Sequence, residues 1–594
     1  MCGIVGYIGD KQAQPVLLDC LSLLEYRGYD SCGIAVSSRS IEVYKDAIRV
    51  AALKKAAPKL SGKIGIGHTR WATHGAPSQL NAHPHLDCTG RIAVVHNGII
   101  NNYQQLREQL IGEGHSFTSE TDTEVIPHLI EKHYQGDIIK AVEAALAEID
   151  GSYAIIVMVA GEPRLVAARK DSPMVIGIGD REKFIASDVP AILNFTNRVI
   201  YLEDGDIGVI TADSVKVKQH QAEVTRTENK ISWTIEDAQK SGYEHFMLKE
   251  IHEQPRVIRD TLAGWMSAPE PILDLEAVRD NGAEAMLMLA CGTSYHAALV
   301  GKYIVQELLK IPVRAELASE FNYYGQALAG TMAIVLTQSG ETADTLRAMK
   351  RLKEAGCRVV AITNVVGSTA SRIADQTIYT RAGPEISVAA TKSFIAQLMA
   401  LYWIMLSYAK IDASRLSSLT AELRQLPSKV QEVLDNQDRI AECAKYLAGF
   451  KDVFFMGRGI NYPVALEGAL KLKEISYLHA EGYAAGELKH GPFALLGSKT
   501  PVVAIVAQDN THEPIVTSIK EIKARHSPVL AVVPEGDDSV EELADSVIVV
   551  PQVEPLFSPV VNTVALQLLA YYTALQRGCP IDFPRNLAKS VTVE

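Results

Sequence analysis

MLMLACGTSYHAALVGKY (286–303) returns 167 positions later as VFFMGRGINYPVALEGAL (453–470), setting Gly292, Tyr295 and Gly301 against Gly459, Tyr462 and Gly468. An apolar run, a glycine loop and a helical pattern, in that order, open a βαβ unit. The match continues downstream, where AIVLTQSGETADTLRAMKRLKEAGCRVVAITN parallels VVAIVAQDNTHEPIVTSIKEIKARHSPVLAVV. Self-similarity of this length predicts two copies of one doubly wound parallel-sheet domain, over 281–420 and 445–580. The charged, helix-patterned interval 410–445 reads as their connection.

The copies differ where a ligand would sit. The first has Thr293 and Ser294 after its opening strand and Gln338, Ser339 and Thr342 after a later one. The second has Ile460 and Asn461, then Gln508, Asp509 and Asn510. Hydroxyl-rich loops running from a strand into a helix bind phosphate through backbone N–H groups, hydroxyls and the helix dipole. Either loop alone could merely cap its helix. Two such loops in one copy, both missing from the other, point to an anion in the first copy, whereas Asp509 would repel one.

Upstream the rhythm changes. GIVGYIG, GIAVSS, IGIGHT, IAVVHNG, YAIIVMV, RLVAARK, KFIASD and VIYLEDGDIGVIT are short strands separated by Gly, Asp and Ser turns, with helical patterns at 14–26, 101–114, 122–133 and 137–147. Such segregated runs predict an antiparallel α+β layered domain over 1–235. Residues 236–280 read as a linker and 581–594 as a terminal tail. The whole chain of 594 residues, 47% hydrophobic and 22% charged, has the composition of a globular protein of several domains.

A net charge of −12 argues against a nucleic-acid partner. The longest apolar stretch, Phe394–Ala409, is too short to span a bilayer and is interrupted by Gln397 and Ser407. No signal-peptide pattern opens the sequence, so a reducing cytoplasm is the expected location. Eight cysteines without a CxxC pair indicate neither a zinc site nor a disulfide framework. His68, His74, His83 and His85 have no familiar metal-ligand spacing, and no metal or other cofactor is expected.

Cys2 follows the initiator Met directly. Alone, it would read as a small hydrophobe opening a strand. With Met1 removed, it would carry a nucleophile and a base together, because an α-amino group near pKa ~7.7–8 can take the thiol proton.

CGIVGYIG, LEYRGYDSCGIA (24–35), GHTRWATHGAPS (67–78), HNGIINNY (96–103) and SETDTE (119–124) resemble the glutaminase domain of class II amidotransferases, which has an N-terminal-nucleophile αββα fold. The repeated domains resemble sugar isomerase (SIS) domains. EHFMLKEIHEQP (244–255) and PRNLAKSVTVE (584–594) complete a resemblance, across nearly the whole chain, to the glutamine–fructose-6-phosphate aminotransferase (isomerising) family.

That resemblance implies roles residue by residue. Cys2 would attack the amide of L-glutamine, with Asn97 and Gly98 as the oxyanion hole. Arg70 would hold the substrate carboxylate and Asp122 its ammonium group, with Trp71, Thr73 and His74 lining the site. Trp71 would also gate an internal ammonia channel.

For D-fructose 6-phosphate, Cys291, Gly292, Thr293, Ser294, Thr337, Gln338, Ser339, Thr342, Val388 and Ala389 would bind the sugar phosphate. Glu474 would move a proton between carbons 1 and 2, supported by Lys471 and Glu467. His490 would open the ring, and Lys589 would form a Schiff base with the ketone. The resemblance also implies a homodimer, with His490 reaching a neighbour's site.

Two departures stand out. Thr337 replaces a Ser common in bacterial relatives and keeps its hydroxyl. Ala390 replaces a Ser that touches sugar there, removing one contact. Rival readings are a double-SIS deglycase or isomerase, which would lack the glutaminase block, and a sugar-phosphate sensor, which would not need Glu474, His490 or Lys589.

Overall fold

Hairpin turns return each short strand beside its neighbour, so the first 230 residues pair antiparallel. In the computed structural model, which describes residues 2–231, 239–266 and 286–592, they form two sheets. One runs Glu228–Lys230, Arg198–Tyr201, Val175–Ile178, Lys183–Ala186, Gly3–Ile8, Ile64–Arg70, Ser31–Ser37, Ile41–Asp46. The other runs Ala222–Val224, Val215–Gln219, Asp206–Ile210, Leu165–Lys170, Gly151–Val159, Ile92–Ile100, His85–Leu86.

Alternate residues of both sheets meet in one apolar layer, with Ile4, Ile8 and Ile66 on one side and Val95, Ile156 and Met158 on the other. Leu106, Leu129 and Val142 bring helices Tyr103–Gly112, Val125–His133 and Ile138–Glu148 onto the outer face of the second sheet. Leu17 and Leu21 of helix Ala13–Ser22 cover the first, lying over Gly65 and Gly67. The layers are therefore αββα.

The described residues divide into two compact units: 1–238 with 341–343 and 588–594, and 239–340 with 344–587. Met1 lies outside the described residues.

The second unit contains the repeat. Its first sheet runs Val313–Leu317, Met286–Ala290, Met332–Thr337, Arg358–Thr363, Gln376–Tyr379. Its second runs His479–Ala484, Asp452–Gly457, Val502–Ile505, Val529–Pro534, Ser546–Val550. Both are wholly parallel and share one strand order. Gly292 (φ 54°) and Gly459 (φ 53°) make the same left-handed turn out of the opening strand, a backbone state that favours glycine.

Helix Lys392–Ser407 is the long apolar stretch, and fourteen of its sixteen residues are buried. At about 1.5–3 kcal/mol per large buried side chain, it is a core helix. Among the described residues no helix is long and apolar enough to cross a membrane. Tyr402 ties this helix to the second copy by donating to the Leu556 carbonyl at 2.6 Å. Helices Ala413–Asp435 and Gln437–Leu447 connect the copies.

The expected linker at 236–280 differs from a simple connection. Phe246–His252 and Gln254–Met266 are helices, and Met247, Ile251, Ile258 and Leu262 are buried in the core that runs through both copies. The apolar spacing of these four residues closes one helical face onto the repeat. Residues 232–238 and 267–285 of and around that stretch lie outside the described residues.

Candidate functional site

In the first unit, strand Gly3–Ile8 brings Cys2 against the end of strand Ile64–Arg70, where Gly3 faces Thr69. The Trp71 N–H donates to the Cys2 thiol at 3.2 Å, and the thiol reaches the Trp71 carbonyl at 3.5 Å. Burial pushes the thiol pKa up. The nearby N-terminal charge, the Trp71 N–H and Arg70 act in the opposite direction.

Asn97, on strand Ile92–Ile100 of the second sheet, donates its side-chain amide to the Cys2 carbonyl at 2.8 Å. Gly98 follows at φ 139°, where an added Cβ would stand 2.0 Å from the Ser152 carbonyl oxygen. No side chain fits there, so the backbone beside Cys2 depends on this glycine.

Arg70 is buried at 2% exposure. Its Nη2 donates to the His74 and Gly75 carbonyls, while its Nη1 has no hydrogen-bond partner. A guanidinium with one buried, unmatched nitrogen can take a carboxylate oxygen. Burial lowers its pKa, and the charges of Cys2, Asp122 and Asp30 oppose that shift.

Asp122 accepts from the Ile100 N–H at 2.9 Å and lies 4.0 Å from His74 Nδ1. Trp71 meets Tyr29 edge-on at 5.8 Å. Thr73 is exposed. Sequence reasoning assigned nothing to Arg27, yet it is buried, ion-paired to Asp188 at 2.7 Å, and donates to the Cys2 carbonyl. Its place in LEYRGYD beside the nucleophile strand was the available signal.

Beneath this site lie four buried histidines. His68 stacks on His83 at 4.1 Å, and His83 meets His85 edge-on at 4.6 Å. One consistent proton arrangement makes three of them neutral rings, with Nδ1 of His68 and of His83 buried and without a hydrogen-bond partner. His83 Nε2–H donates to Thr123 Oγ1, whose hydroxyl donates to His96 Nδ1, and His96 Nε2–H points at the Ser152 carbonyl. His68 Nε2–H donates to the His96 carbonyl. Burial holds the pKa of His68 down to about 3 and lowers His83, His85 and His96 as well.

In the second unit, helix Tyr462–Ser476 begins with Pro463 in its first turn and carries Glu467, Lys471 and Glu474 along one face. Lys471, 1% exposed, lies 2.6 Å from Glu474 Oε2 and 3.5 Å from Glu467 Oε1. Burial alone would depress its pKa. The two carboxylates outweigh burial, so the ammonium pKa is raised and the group stays protonated.

Lys471 also donates to the Thr293 hydroxyl at 3.0 Å, and that hydroxyl donates to Glu467 at 3.1 Å. His296 lies 2.7 Å from the other Glu467 oxygen. The first loop of copy one is thus tied to the helix of copy two. Thr293, expected to hold phosphate, has its hydroxyl engaged in this row. His296, which follows it on the same helix, was missed by sequence reasoning.

Gln397 donates to the Ser294 hydroxyl at 2.9 Å. The Thr337 hydroxyl accepts from the Gly340 N–H at 3.2 Å, shaping the turn that holds Gln338 and Ser339 and leads through Thr342 to helix Ala343–Glu354. Cys291 precedes Gly292 at the start of its helix, within 3.6 Å of the Thr345 hydroxyl. Val388 and Ala389 are buried in a loop held at both ends by carboxylates. Glu250 accepts from the Ile386 and Ser387 N–H groups, and Glu385 accepts from those of Thr391 and Ser393.

In the second copy, Asp509 accepts from the Thr511 N–H at 2.7 Å and the Thr511 hydroxyl at 2.6 Å, building the turn into helix His512–Lys523. His490 is exposed at the end of the turn Ala485–His490, outside the Glu467–Lys471–Glu474 row. Lys589 belongs to the terminal segment 588–594, whose Val591 carbonyl accepts from the Ala343 N–H at 3.0 Å.

Comparison with known proteins matches a glutamine amidotransferase domain profile to residues 68–194 and a SIS domain profile to residues 281–407 and 446–577. The chain is 49% identical to the glutamine–fructose-6-phosphate aminotransferase (isomerizing) of Caldanaerobacter subterraneus and 50% identical to that of Methanosarcina acetivorans, each across 100% of both chains. A solved C-terminal domain of glucosamine-fructose-6-phosphate aminotransferase from Francisella tularensis, 36% identical, covers 58% of this chain and all of its own at a TM-score of 0.55. The tagatose-6-phosphate ketose/aldose isomerase of Escherichia coli, 18% identical, covers 58% of this chain and 96% of its own at a TM-score of 0.50, a likeness of fold alone. With full-length relatives at this identity, both domain profiles and the paired SIS sheets in agreement, the chain belongs to the glutamine–fructose-6-phosphate aminotransferase (isomerizing) family.

Proposed function

We propose that this protein transfers the amide nitrogen of L-glutamine to D-fructose 6-phosphate and isomerises the product, giving D-glucosamine 6-phosphate and L-glutamate. The observation that carries this reading is the presence, in one family member, of two separate chemical sites. One is a thiol at residue 2 beside a buried guanidinium, and the other is a carboxylate–lysine–carboxylate row tied to a hydroxyl-rich loop.

In the first step the Cys2 sulfur attacks the glutamine amide carbon, with the amine freed by Met1 removal taking the thiol proton. Ammonia leaves, and water cleaves the thioester to glutamate. The Asn97 amide and Gly98 N–H stabilise the tetrahedral oxyanion, a donor of this kind being worth about 10²–10³ in rate. Arg70 Nη1 takes the substrate carboxylate, and Asp122 takes the ammonium. Trp71 gates the path of the ammonia.

In the second step the ring opens with help from His490, and the ketone forms an imine with Lys589. Ammonia then displaces that lysine at carbon 2. Glu474, paired with Lys471, removes the proton from carbon 1 and returns one to carbon 2, turning the ketose imine into an aldose amine. Lys471 and Lys392 are both held in buried ion pairs, with Glu474 and Glu253, each at 2.6 Å. That pairing suits them to charge balance.

The phosphate sits in the loop 337–342. The residues of this scheme include no metal or organic cofactor. The net charge of −12 speaks against a nucleic-acid partner, and the exposed position of His490 leaves it accessible to the neighbouring subunit of a homodimer.

The test is to incubate the protein with glutamine and fructose 6-phosphate and identify the sugar by NMR, alongside Cys2→Ala. Glucosamine 6-phosphate from the unmodified chain is expected. The variant should bind fructose 6-phosphate normally but release no glutamate. Fully active protein that retains Met1 by mass spectrometry would refute the terminal-amine base.

A further inference from the structure

Cys88, His115, His128 and Glu131 are brought together from three places in the glutaminase unit. Cys88 lies in the turn between strands His85–Leu86 and Ile92–Ile100. His115 follows helix Tyr103–Gly112, and His128 and Glu131 stand one turn apart on helix Val125–His133. We propose that these four side chains form a structural Zn²⁺ site.

Each residue offers one ligand atom, and the four atoms all lie within 4.8 Å of one another. Cys88 Sγ is 3.6 Å from His115 Nδ1 and 3.4 Å from His128 Nδ1. Glu131 Oε2 is 3.1 Å from His115 Nδ1 and 3.5 Å from His128 Nδ1.

A tetrahedron with Zn–S near ~2.3 Å and Zn–N or Zn–O near ~2.0–2.1 Å has S–N edges of about 3.6 Å and N–O edges of about 3.3 Å. Four edges of the cluster already have these lengths without an ion to impose them. Both histidines turn the same nitrogen, Nδ1, toward the common centre. Thiolate, two imidazoles and a carboxylate make a donor set of the kind zinc takes.

The surroundings support the assignment. His128 is 1% exposed, and its other nitrogen, Nε2, has no hydrogen-bond partner and lies 3.9 Å from Glu124 Oε1. Glu124 is held in place by the Thr118 and Ser119 N–H groups and hydroxyls. A carboxylate behind a ligating imidazole is the usual outer-shell partner that fixes ring orientation.

The ion would be structural. It would join the turn leading into the strand of Asn97 to the helix that begins just after Asp122, bracing two elements of the glutamine site. It takes no part in the chemistry proposed above, and the inference stands whichever nitrogen acceptor the second unit uses.

The test uses the full chain, purified without chelator. Mass-spectrometric metal analysis should find about one zinc per chain. Replacing zinc with Co²⁺ should give a thiolate-to-cobalt charge-transfer band in the near ultraviolet.

Cys88→Ser changes an exposed residue outside the catalytic machinery. It should abolish that band, weaken Zn²⁺ binding by more than the ~10–100-fold that loss of an outer-shell partner costs, and leave fructose 6-phosphate binding unchanged. Glu131→Gln should weaken Zn²⁺ while keeping the band. Zinc content and affinity equal in the unmodified chain and Cys88→Ser, or a Co²⁺ spectrum lacking the thiolate band, would overturn the proposal.

Discussion

Acidification should unfold the glutaminase unit through its buried histidines. His68 has a pKa near 3 in the folded chain against an ordinary 6.5, because burial disfavours its charged form. The unfolded chain therefore binds this proton first. Stability is fully present above pH 6.5 and is lost as pH falls from 6.5 toward 3.

Within that window each such histidine costs about 1.4 kcal/mol per pH unit. His83 is lowered well below its ordinary value for the same reason, so it and His68 together give a slope of roughly 2.7 kcal/mol per pH unit, and burial shifts His85 and His96 in the same direction. Against an ordinary stability of about 5–15 kcal/mol, a loss on the order of 3–4 kcal/mol between pH 6.5 and 5 is readily measured. Paired carboxylates titrate mainly below that range, which leaves the window to histidine.

The measurement is denaturant unfolding of the full chain at pH 7.5 to 5, with glutamine hydrolysis and fructose 6-phosphate binding reporting the two units separately. His68→Gln keeps a donor for the His96 carbonyl and removes the titrating ring. Its slope should be shallower by one proton, about 1.4 kcal/mol per pH unit. A flat profile over this range, or an unchanged slope in His68→Gln, would refute the neutral cluster.

Two further outcomes follow from the synthase half. Ser339→Ala with Thr342→Ala should weaken fructose 6-phosphate binding by roughly 2–4 kcal/mol, since each hydrogen bond to a charged group contributes ~1.5–3 kcal/mol and water restores part. Asp509→Ala with Asn510→Ala should leave calorimetric binding nearly unchanged, and equal losses from the two pairs would reverse the assignment of the copies. Borohydride with fructose 6-phosphate should trap sugar on Lys589, and Lys589→Ala should lose synthase activity while hydrolysing glutamine. Peptide mapping that finds the adduct on Lys471 or Lys392 would remove Lys589 from the mechanism.

What the sequence could and could not convey follows from whether the relevant interaction is local. A hairpin or a βαβ unit is encoded within a few tens of residues, so the layered first domain and the repeat were readable. So was the face shared by Glu467, Lys471 and Glu474, because i, i+4 and i+7 coincide on any helix.

Composition distinguishes the 508–510 loop from the 338–342 loop, but it does not show a further role of Asp509, whose carboxylate builds the turn at Thr511. Thr293 shows the same limit, since its partners are 174 and 178 positions away and no local pattern announces them.

The histidines make the case most sharply. Spacing brings His68, His74, His83 and His85 together as metal candidates and finds no ligand set. Three of them are buried rings, His68 donating to the His96 carbonyl and His83 joined to His96 through Thr123. The four-residue zinc candidate uses none of them. It is assembled from a turn, a loop and a helix at positions 88, 115, 128 and 131, where only the last pair has helical spacing. A site closed by tertiary contacts leaves a trace in the sequence only where two ligands share an element, and His128-x-x-Glu131 was that trace.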